Sequence, residues 1–467
     1  MAPIPGLRNL VLAAAAAVIT SAGAVYVLMQ PADTTRKITG TVAAAPGLAW
    51  SVDAAATYDG ASPEFRDPVP GTEYDIGGAS FVDAGDTLVA VVGSSDGDMS
   101  LRNPTMVGID AATGAVRWRT PAAHLGGCAR APLDNHLVCF TGPSEPPALV
   151  GYDIGSGEVT RTSLEWSVFA LATDENRLYL AEGDVESDDV RVHSGTLADP
   201  DAHWTRAFTM GTAWESLPTD ALDVSQGQGL FELGTTLAGF DLGTGTPTWT
   251  AELAGCSRTT RTNPALVVRI HTDCSGYRIT GSDILDHTGR VLATTNHEAA
   301  HSLSIDLPTD DTVPVLLGDG AYDRRTGKLL WTSPDLVTQP RATQSEYGNA
   351  TSGSAIALLG DVALLRDDAA GTTTGLDMRT GRRLWQHATE RSGTPNAWDG
   401  EVVVFADSTG LWAIDPKSGS TVWDIPFRAV TDVPDALSDG GRLTVRGKGH
   451  YGYASARTLI SLRPLGR

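Results

Sequence analysis

Two stretches of this chain have the spacing of catalytic motifs. His297-Glu298-Ala299-Ala300-His301 follows the H-E-x-x-H order, which on a helix sets two imidazoles on one face to hold zinc and leaves the Glu as general base. The motif falls between the apolar runs Val291-Leu292-Ala293 and Leu303-Ser304-Ile305, with room for barely two helical turns and no downstream G-x-x-H to supply a third ligand. A short polar connector is therefore expected rather than a zinc centre. Gly93-Ser94-Ser95-Asp96-Gly97 has the G-x-S-x-G order, but a nucleophile elbow requires a strand running into a helix. The residues that follow, Asp98 to Pro104, lead to another strand, so a hairpin loop is expected. No phosphate-binding G-x-x-x-x-G-K-[ST] occurs.

The acidic clusters Asp184 to Asp189, Asp310-Asp311 and Asp367-Asp368 lack the alternating order of a calcium loop and read as solvated connections. The formal net charge of −22 keeps the chain soluble and argues against nucleic acid, since phosphate binding needs a basic surface. No catalytic, cofactor-binding or metal-binding residue is assigned on these grounds.

The elements that would have to position any site are set by a repeated phrase. Asp110, Gly114 and Trp118 recur at the same offsets as Asp241, Gly245 and Trp249, as Asp323, Gly327 and Trp331, as Asp377, Gly381 and Trp385, and as Asp415, Gly419 and Trp423. A phrase repeated every few tens of residues marks stacked supersecondary units. Asp-x-x-Thr/Ser-Gly between two apolar strand ends reads as a hairpin turn: the Asp side chain accepts backbone hydrogen bonds and the Gly supplies a positive φ. The Trp, on the outgoing strand, can bury against a neighbouring sheet while its N–H finds an acceptor. Weaker copies stand at Asp153 to Gly157, with Arg161 at the Trp offset, at Val190 to Trp204, and at Leu285 to Leu292, one residue short and without Trp. The Asp-to-Asp intervals, 37 to 54 residues, are those of four-stranded propeller blades.

This phrase resembles the repeat of the pyrroloquinoline-quinone-type (PQQ-like, quinoprotein-like) β-propellers, a group that includes quinone-dependent alcohol dehydrogenases and BamB-like assembly lipoproteins. The resemblance runs from about Leu48 to the C-terminus and implies an all-β propeller of eight blades, with seven and nine as alternatives. The Val190 to Trp204 and Leu285 to Leu292 copies decide between them. Gly47 to Val52, with Trp50, reads as an orphan outer strand that would pair with C-terminal strands such as Arg442 to Arg446 and Thr458 to Leu462, leaving no open edge. Six of the eleven Trp occupy the docking position, so the Trp content is mostly structural.

Leu10 to Met29 is an uncharged stretch of 20 residues preceded by Arg8, long enough to span a bilayer. It is either an anchor or a signal peptide. Ala22-Gly23-Ala24 has the form of a cleavage site, yet the apolar run continues to Met29. The resulting division is a short cytoplasmic head (1–9), an anchor or signal segment (10–29), a linker (30–46) and the propeller (47–467). A propeller outside the cytoplasm is expected, secreted if the segment is cleaved.

The four cysteines form two local pairs, Cys128 with Cys139 and Cys256 with Cys274, each beginning soon after a docking Trp. Antiparallel neighbours at that separation can meet bridge geometry, and neither pair has C-x-x-C spacing. Two disulfides in an oxidising compartment are expected, with four buried thiols as the alternative.

Quinone enzymes of the resembling group hold their cofactor against a disulfide of adjacent cysteines, with Ca²⁺ nearby. This chain has no Cys-Cys pair. The expected role is accordingly a monomeric, non-enzymatic scaffold that binds other envelope proteins or peptide segments, without cofactor, and reaches the membrane through the N-terminal segment. A quinone-dependent dehydrogenase and an extracytoplasmic ligand-binding sensor are the alternatives. Mass spectrometry of non-reduced peptides from exported protein is expected to find Cys128 joined to Cys139 and Cys256 to Cys274; a crossed pairing would contradict this strand placement.

Overall fold

Each repeat folds as a hairpin whose turn is held by its Asp. Asp110 Oδ1 accepts the Ala112 N–H at 3.1 Å, the Thr113 N–H at 2.8 Å and the Thr113 hydroxyl at 2.8 Å. The Gly114 N–H donates to the Asp110 carbonyl at 2.8 Å, with Gly114 at φ +75°. The arrangement recurs at Asp153, Asp241, Asp323 and Asp377, and with Ser418 in place of Thr at Asp415. The computed structural model describes residues 45–465 apart from 73–77, 96–100, 175, 184–189, 211–219, 226, 235, 253–256, 263–265, 274–277, 339–351 and 428–440. The proposed anchor at 10–29, the acidic stretch at 184–189, and Cys256 and Cys274 lie outside the described residues.

The Trp of one repeat crosses to the turn of the next. Trp50 donates its indole N–H to Ala111 O at 3.0 Å, Trp118 to Ile154 O at 2.9 Å, Trp204 to Leu242 O at 3.1 Å, Trp249 to His287 O at 2.9 Å, Trp331 to Met378 O at 3.0 Å and Trp385 to Pro416 O at 2.8 Å. Each acceptor lies just before the turn Gly of the following repeat. A Cβ on that Gly (Gly114, Gly157, Gly245, Gly289, Gly381 or Gly419) would stand 2.4 to 2.8 Å from an indole carbon. The glycine is thus required twice, for its backbone conformation and for its missing side chain. Trp423, the last of the series, meets Tyr451 instead, with ring centroids 5.9 Å apart.

These contacts join nine blades, each a meander of antiparallel strands whose first strand borders the channel and whose last lies outside. They span residues 63–121, 125–163, 168–208, 222–252, 258–295, 305–332, 355–388, 394–426 and 442–463, here blades 1 to 9. Gly47–Asp53 adds to blade 9 as its outermost strand, antiparallel to Thr458–Arg463, with Trp50 opposite Ser461. Among the described residues there is one buried apolar cluster for each junction. Trp118 and Tyr152 share the cluster of blades 1 and 2, Trp385 and Phe405 that of blades 7 and 8, and Trp50 and Ile109 that of blades 9 and 1. The last of these closes the ring.

The blade number corrects the expectation of eight, because both doubtful copies are full blades. In blade 3 the Asp-Gly turn is gone, yet Val190–Gly195 and Trp204–Phe208 still pair, with Ser194 opposite Trp204. There His193 is clamped between Asp201 Oδ1 at 2.5 Å and Glu182 Oε2 at 2.9 Å and stacks on Trp166 at 3.9 Å. In blade 5 the shortened turn keeps Gly289 at φ +73° and Asp286 Oδ1 still accepts from Thr288. Ala293 takes the Trp offset.

Blade 6 departs from the pattern. Its own sheet holds Val315–Leu317, Gly320–Tyr322 and Leu329–Thr332, while its first strand, Ile305–Pro308, pairs in parallel with Ala355–Gly360, the first strand of blade 7. The edge of Val315–Leu317 that this strand leaves open is guarded by Pro314, which has no N–H to donate, and by His301.

Because the indole fills the space beside the next turn, Trp118→Ala is expected to cost about 3 to 5 kcal/mol. Gly157→Ala, which pushes a methyl into that indole, should be at least about 1 kcal/mol less damaging in the Trp118→Ala background than alone. Urea unfolding of the two single variants and the double variant measures this coupling; strict additivity would contradict the docking.

Candidate functional site

The first strands of four consecutive blades, Leu125–Cys128, Val168–Asp174, Leu222–Ser225 and Arg258–Thr262, border a channel cavity of about 690 Å³. Each of these strands ends its sheet, so one of its edges has no strand partner within the sheet. The polar groups on the wall include Arg130, Thr173, Asp220, Asp223, Glu232 and Thr259. Glu232 accepts the Thr259 hydroxyl, which ties blade 4 to blade 5 at the wall.

Among the described residues two segments of the chain itself pair with inner strand edges elsewhere on the channel side. Residues Val69 to Thr72 lie along the inner edge of blade 2: the Cys128 N–H donates to Val69 O at 3.0 Å and the Thr72 N–H to Leu125 O at 2.8 Å. The Thr72 hydroxyl donates to Ala122 O at 2.5 Å and accepts from the Leu125 N–H at 3.0 Å. The second segment is Ile305–Pro308, on the inner edge of blade 7.

Cys128 and Cys139 are directly opposed across the first two strands of blade 2 and joined by a disulfide. Cys128 borders the cavity and Cys139 is fully buried.

The H-E-x-x-H residues lie in a connection without helix, and their side chains have separate partners. Glu298 pairs with Arg278, whose guanidinium holds its carboxyl below the usual range. His301 Nε2 donates to Gly318 O at 2.9 Å and its Nδ1 accepts the Ala355 N–H at 3.3 Å, so one neutral tautomer bridges blades 6 and 7. Burial pulls His301 down to about 4. Nothing in this arrangement converges on a metal, and among the described residues no group of three His, Cys, Asp or Glu side chains is placed to hold one. Behind His301 a cavity of about 120 Å³ contains the buried Arg324–Asp306 pair, 3.9 Å apart.

The G-x-S-x-G serines sit on a hairpin. Ser94 and Ser95 end the strand Thr87–Ser95 and pair with Arg102 and Leu101. Of the acidic pairs, Asp310 bonds Thr312 and Arg379, Asp311 bonds Arg325, and Asp368 bonds Arg366 at 3.3 Å. The turn carboxylates are likewise engaged: the Arg117 guanidinium, with Thr113, holds Asp110 down at about 2.

One polar constellation escaped the sequence reading. Ser257 Oγ lies 3.0 Å from His271 Nδ1, and His271 Nε2 lies 3.0 Å from Asp283 Oδ2. The connectivity is that of nucleophile, base and orienting acid. However, Asp283 is also gripped by Arg269 through Nε at 3.0 Å and Nη2 at 2.6 Å. Ser257 immediately precedes the first strand of blade 5 and His271 and Asp283 stand on its next two strands, so the network ties the three segments together. A signal was present: Asp283 occupies the position three before the turn Asp that Val107, Val150 and Ala238 hold in other repeats. The small residue opposite each Trp was equally legible, as at Gly108, Gly239, Gly375, Ala321 and Ala413.

Residues 283–456 match the family described as outer membrane protein assembly factor BamB. Over that stretch the chain carries repeats of the PQQ-like β-propeller kind. Similar folds include BamB from Moraxella catarrhalis, at 15% identity and TM-score 0.36 over 74% of this chain and 96% of that one. The quinohemoprotein alcohol dehydrogenase from Comamonas testosteroni follows at 12% identity and TM-score 0.44, over 91% and 78% of the two chains. Saccharomyces cerevisiae Sqt1 is similar at 8% identity and TM-score 0.42, over 90% and 100%. Values this low tie none of those proteins' activities to this propeller. No curated protein matches its sequence.

His301 gives the propeller a defined acid response. Unfolded, it titrates near its ordinary 6.5; folded, near 4. Between these values the unfolded chain holds the extra proton, so this contribution is complete above about pH 6.5 and falls as the pH drops toward 4. A loss of about 2 kcal/mol is expected between pH 7 and pH 5. His301→Asn should lower stability at pH 7 and flatten this slope, as read from urea titrations at the two pH values. An unchanged slope would mean that His301 is not held neutral.

Proposed function

We propose that this propeller is a protein-binding scaffold of the cell envelope and not an enzyme, anchored by Leu10 to Met29 with the ring on the extracytoplasmic side. Among the described residues no helix is long and apolar enough to cross a membrane, so anchorage rests on the sequence of that stretch alone. Secretion after cleavage is the competing arrangement. The Cys128–Cys139 disulfide fits an oxidising compartment.

The observation that carries the scaffold reading is the placement of exposed apolar side chains. Val291, Leu329 and Leu330 are each 46% exposed and Leu384 is 44% exposed, and they stand on the outer strands of blades 5, 6 and 7. All four fall within the stretch that matches the assembly-factor family. Large apolar groups held open on three consecutive blades suit a protein partner better than water. The family description, an assembly factor, supports the same reading.

Crosslinking of the membrane-bound protein in its native cells is expected to give discrete protein adducts that the Leu330→Glu/Leu384→Glu variant loses while keeping its melting temperature. Adducts unchanged in that variant would remove the rim from the reading. The quinone-enzyme alternative is tested directly: purified protein with pyrroloquinoline quinone and Ca²⁺ is expected to show neither saturable binding nor alcohol-dependent dye reduction. Either signal would replace the scaffold with an oxidoreductase.

A further inference from the structure

We infer that the channel cavity receives an extended segment of a client protein bearing lysine or arginine, paired through its backbone to the inner strand edges of blades 3 to 5. This rests on the protein-binding reading and names the chemistry of a partner at a second place on the ring.

The strand edges come first. Among the described residues Val168–Asp174, Leu222–Ser225 and Arg258–Thr262 end their sheets on the channel side, and an unpaired edge is a row of N–H and C=O groups ready to template another strand. The ring already uses its inner edges in this way twice. Val69 to Thr72 adds to blade 2 with antiparallel pairing, Val69 against Cys128 and Thr72 against Leu125. Ile305–Pro308 adds to blade 7 in parallel. The inner edges therefore accept an added segment in either direction. Beside the first of these occupied edges, blades 3, 4 and 5 leave the cavity of about 690 Å³. That volume lies within the rough range of 300 to 1,000 Å³ for ligand sites, enough for a few extended residues and too small for a folded domain.

Charge selects the guest. Among the described side chains Asp220 and Glu232 face the cavity against Arg130, inside a chain of net charge −22. A cleft lined by one sign of charge within low-dielectric walls concentrates ions of the other. Backbone pairing then supplies affinity that does not depend on sequence, and the carboxylates favour cationic side chains at alternate positions, which point to one face of a strand.

The test is calorimetric titration of the full-length protein with a capped heptapeptide of alternating valine and lysine. Its glutamate counterpart, a version N-methylated on alternate residues and spermidine serve as comparisons. The lysine peptide is expected to bind one to one, with the glutamate and N-methylated peptides each at least about tenfold weaker and the affinity falling with salt. Asp220→Asn/Glu232→Gln is expected to weaken the lysine peptide by about tenfold. If that variant does not fold, the comparison among peptides and the salt dependence decide on the unaltered protein. Equal binding of the N-methylated peptide or of spermidine would overturn strand pairing, and equal binding of the glutamate peptide, or no binding at all, would overturn the inference. The two readings fail separately. Client adducts without peptide binding would leave the scaffold and remove the channel guest. Peptide binding retained in Leu330→Glu/Leu384→Glu, with no adducts from the unaltered protein, would do the reverse.

Discussion

The ring depends on a tryptophan that leaves its own blade. Each docking indole except that of Trp423 lies over a small residue of its own sheet, donates to a carbonyl in the next blade's turn, and fills the space that the turn's glycine leaves open. One contact therefore sets three things together: the outer edge of one sheet, the turn of the next and the spacing between them. Propagated from Trp50 to Trp423, it makes adjacent blades interdependent, and because Trp50 belongs to the strand that completes blade 9, the chain of contacts returns to its start. Where the Trp is missing, other chemistry holds the junction. Blades 2 and 3 rely on Phe140, Leu149, Leu178 and Leu180, and blades 5 and 6 on Ile270, Ile284 and Leu317.

A nine-bladed ring has a consequence for its centre. Propellers typically run to about eight blades, and each added blade widens the circle of inner strands. The chain meets the extra space with its own backbone: one segment lies on blade 2 and the displaced strand of blade 6 lies on blade 7. The displaced strand also explains the H-E-x-x-H stretch. The stretch leads into Ile305–Pro308, so His301 falls where blade 6 has lost a strand and bonds Gly318 of blade 6 and Ala355 of blade 7. A motif with the letters of zinc chemistry is thereby accounted for as a splice between two blades.

Much of this was legible in the sequence and some was not, for physical reasons. The Asp, Gly and Trp offsets report a local turn and its contact with the next turn, so the propeller class followed from them directly. The blade number did not, because a blade is defined by strand pairing, and pairing survives loss of the turn when another device replaces it, as His193 with Asp201 and Glu182 does in blade 3. The escape of Ile305–Pro308 to blade 7 left no trace in the repeat, since parallel and antiparallel edges ask for the same alternation of side chains. The channel wall was equally hidden: Asp220, Asp223 and Glu232 come together within the first hairpin of blade 4, but nothing in the repeat marks that hairpin as facing a cavity shared with blades 2, 3 and 5.

The junction of blades 4 and 5 joins these observations. Among the described residues its apolar cluster has four buried members, Leu230, Leu237, Val267 and Leu285, where the junction of blades 3 and 4 has sixteen. The inner part of this junction is instead polar, built from Glu232, Thr259, Ser257, His271, Asp283 and Arg269. A buried ionic network adds little net stability over apolar packing, because its groups must be desolvated, but it tolerates few alternative geometries. The result is a junction fixed in register yet held by little apolar burial, and it lies directly against the open cavity. Elements with few buried apolar contacts open at the lowest cost. Trp249 still docks at this junction, so the ring is held there by one half-buried indole and a polar network rather than by a broad apolar core, beside the space the channel leaves for a guest.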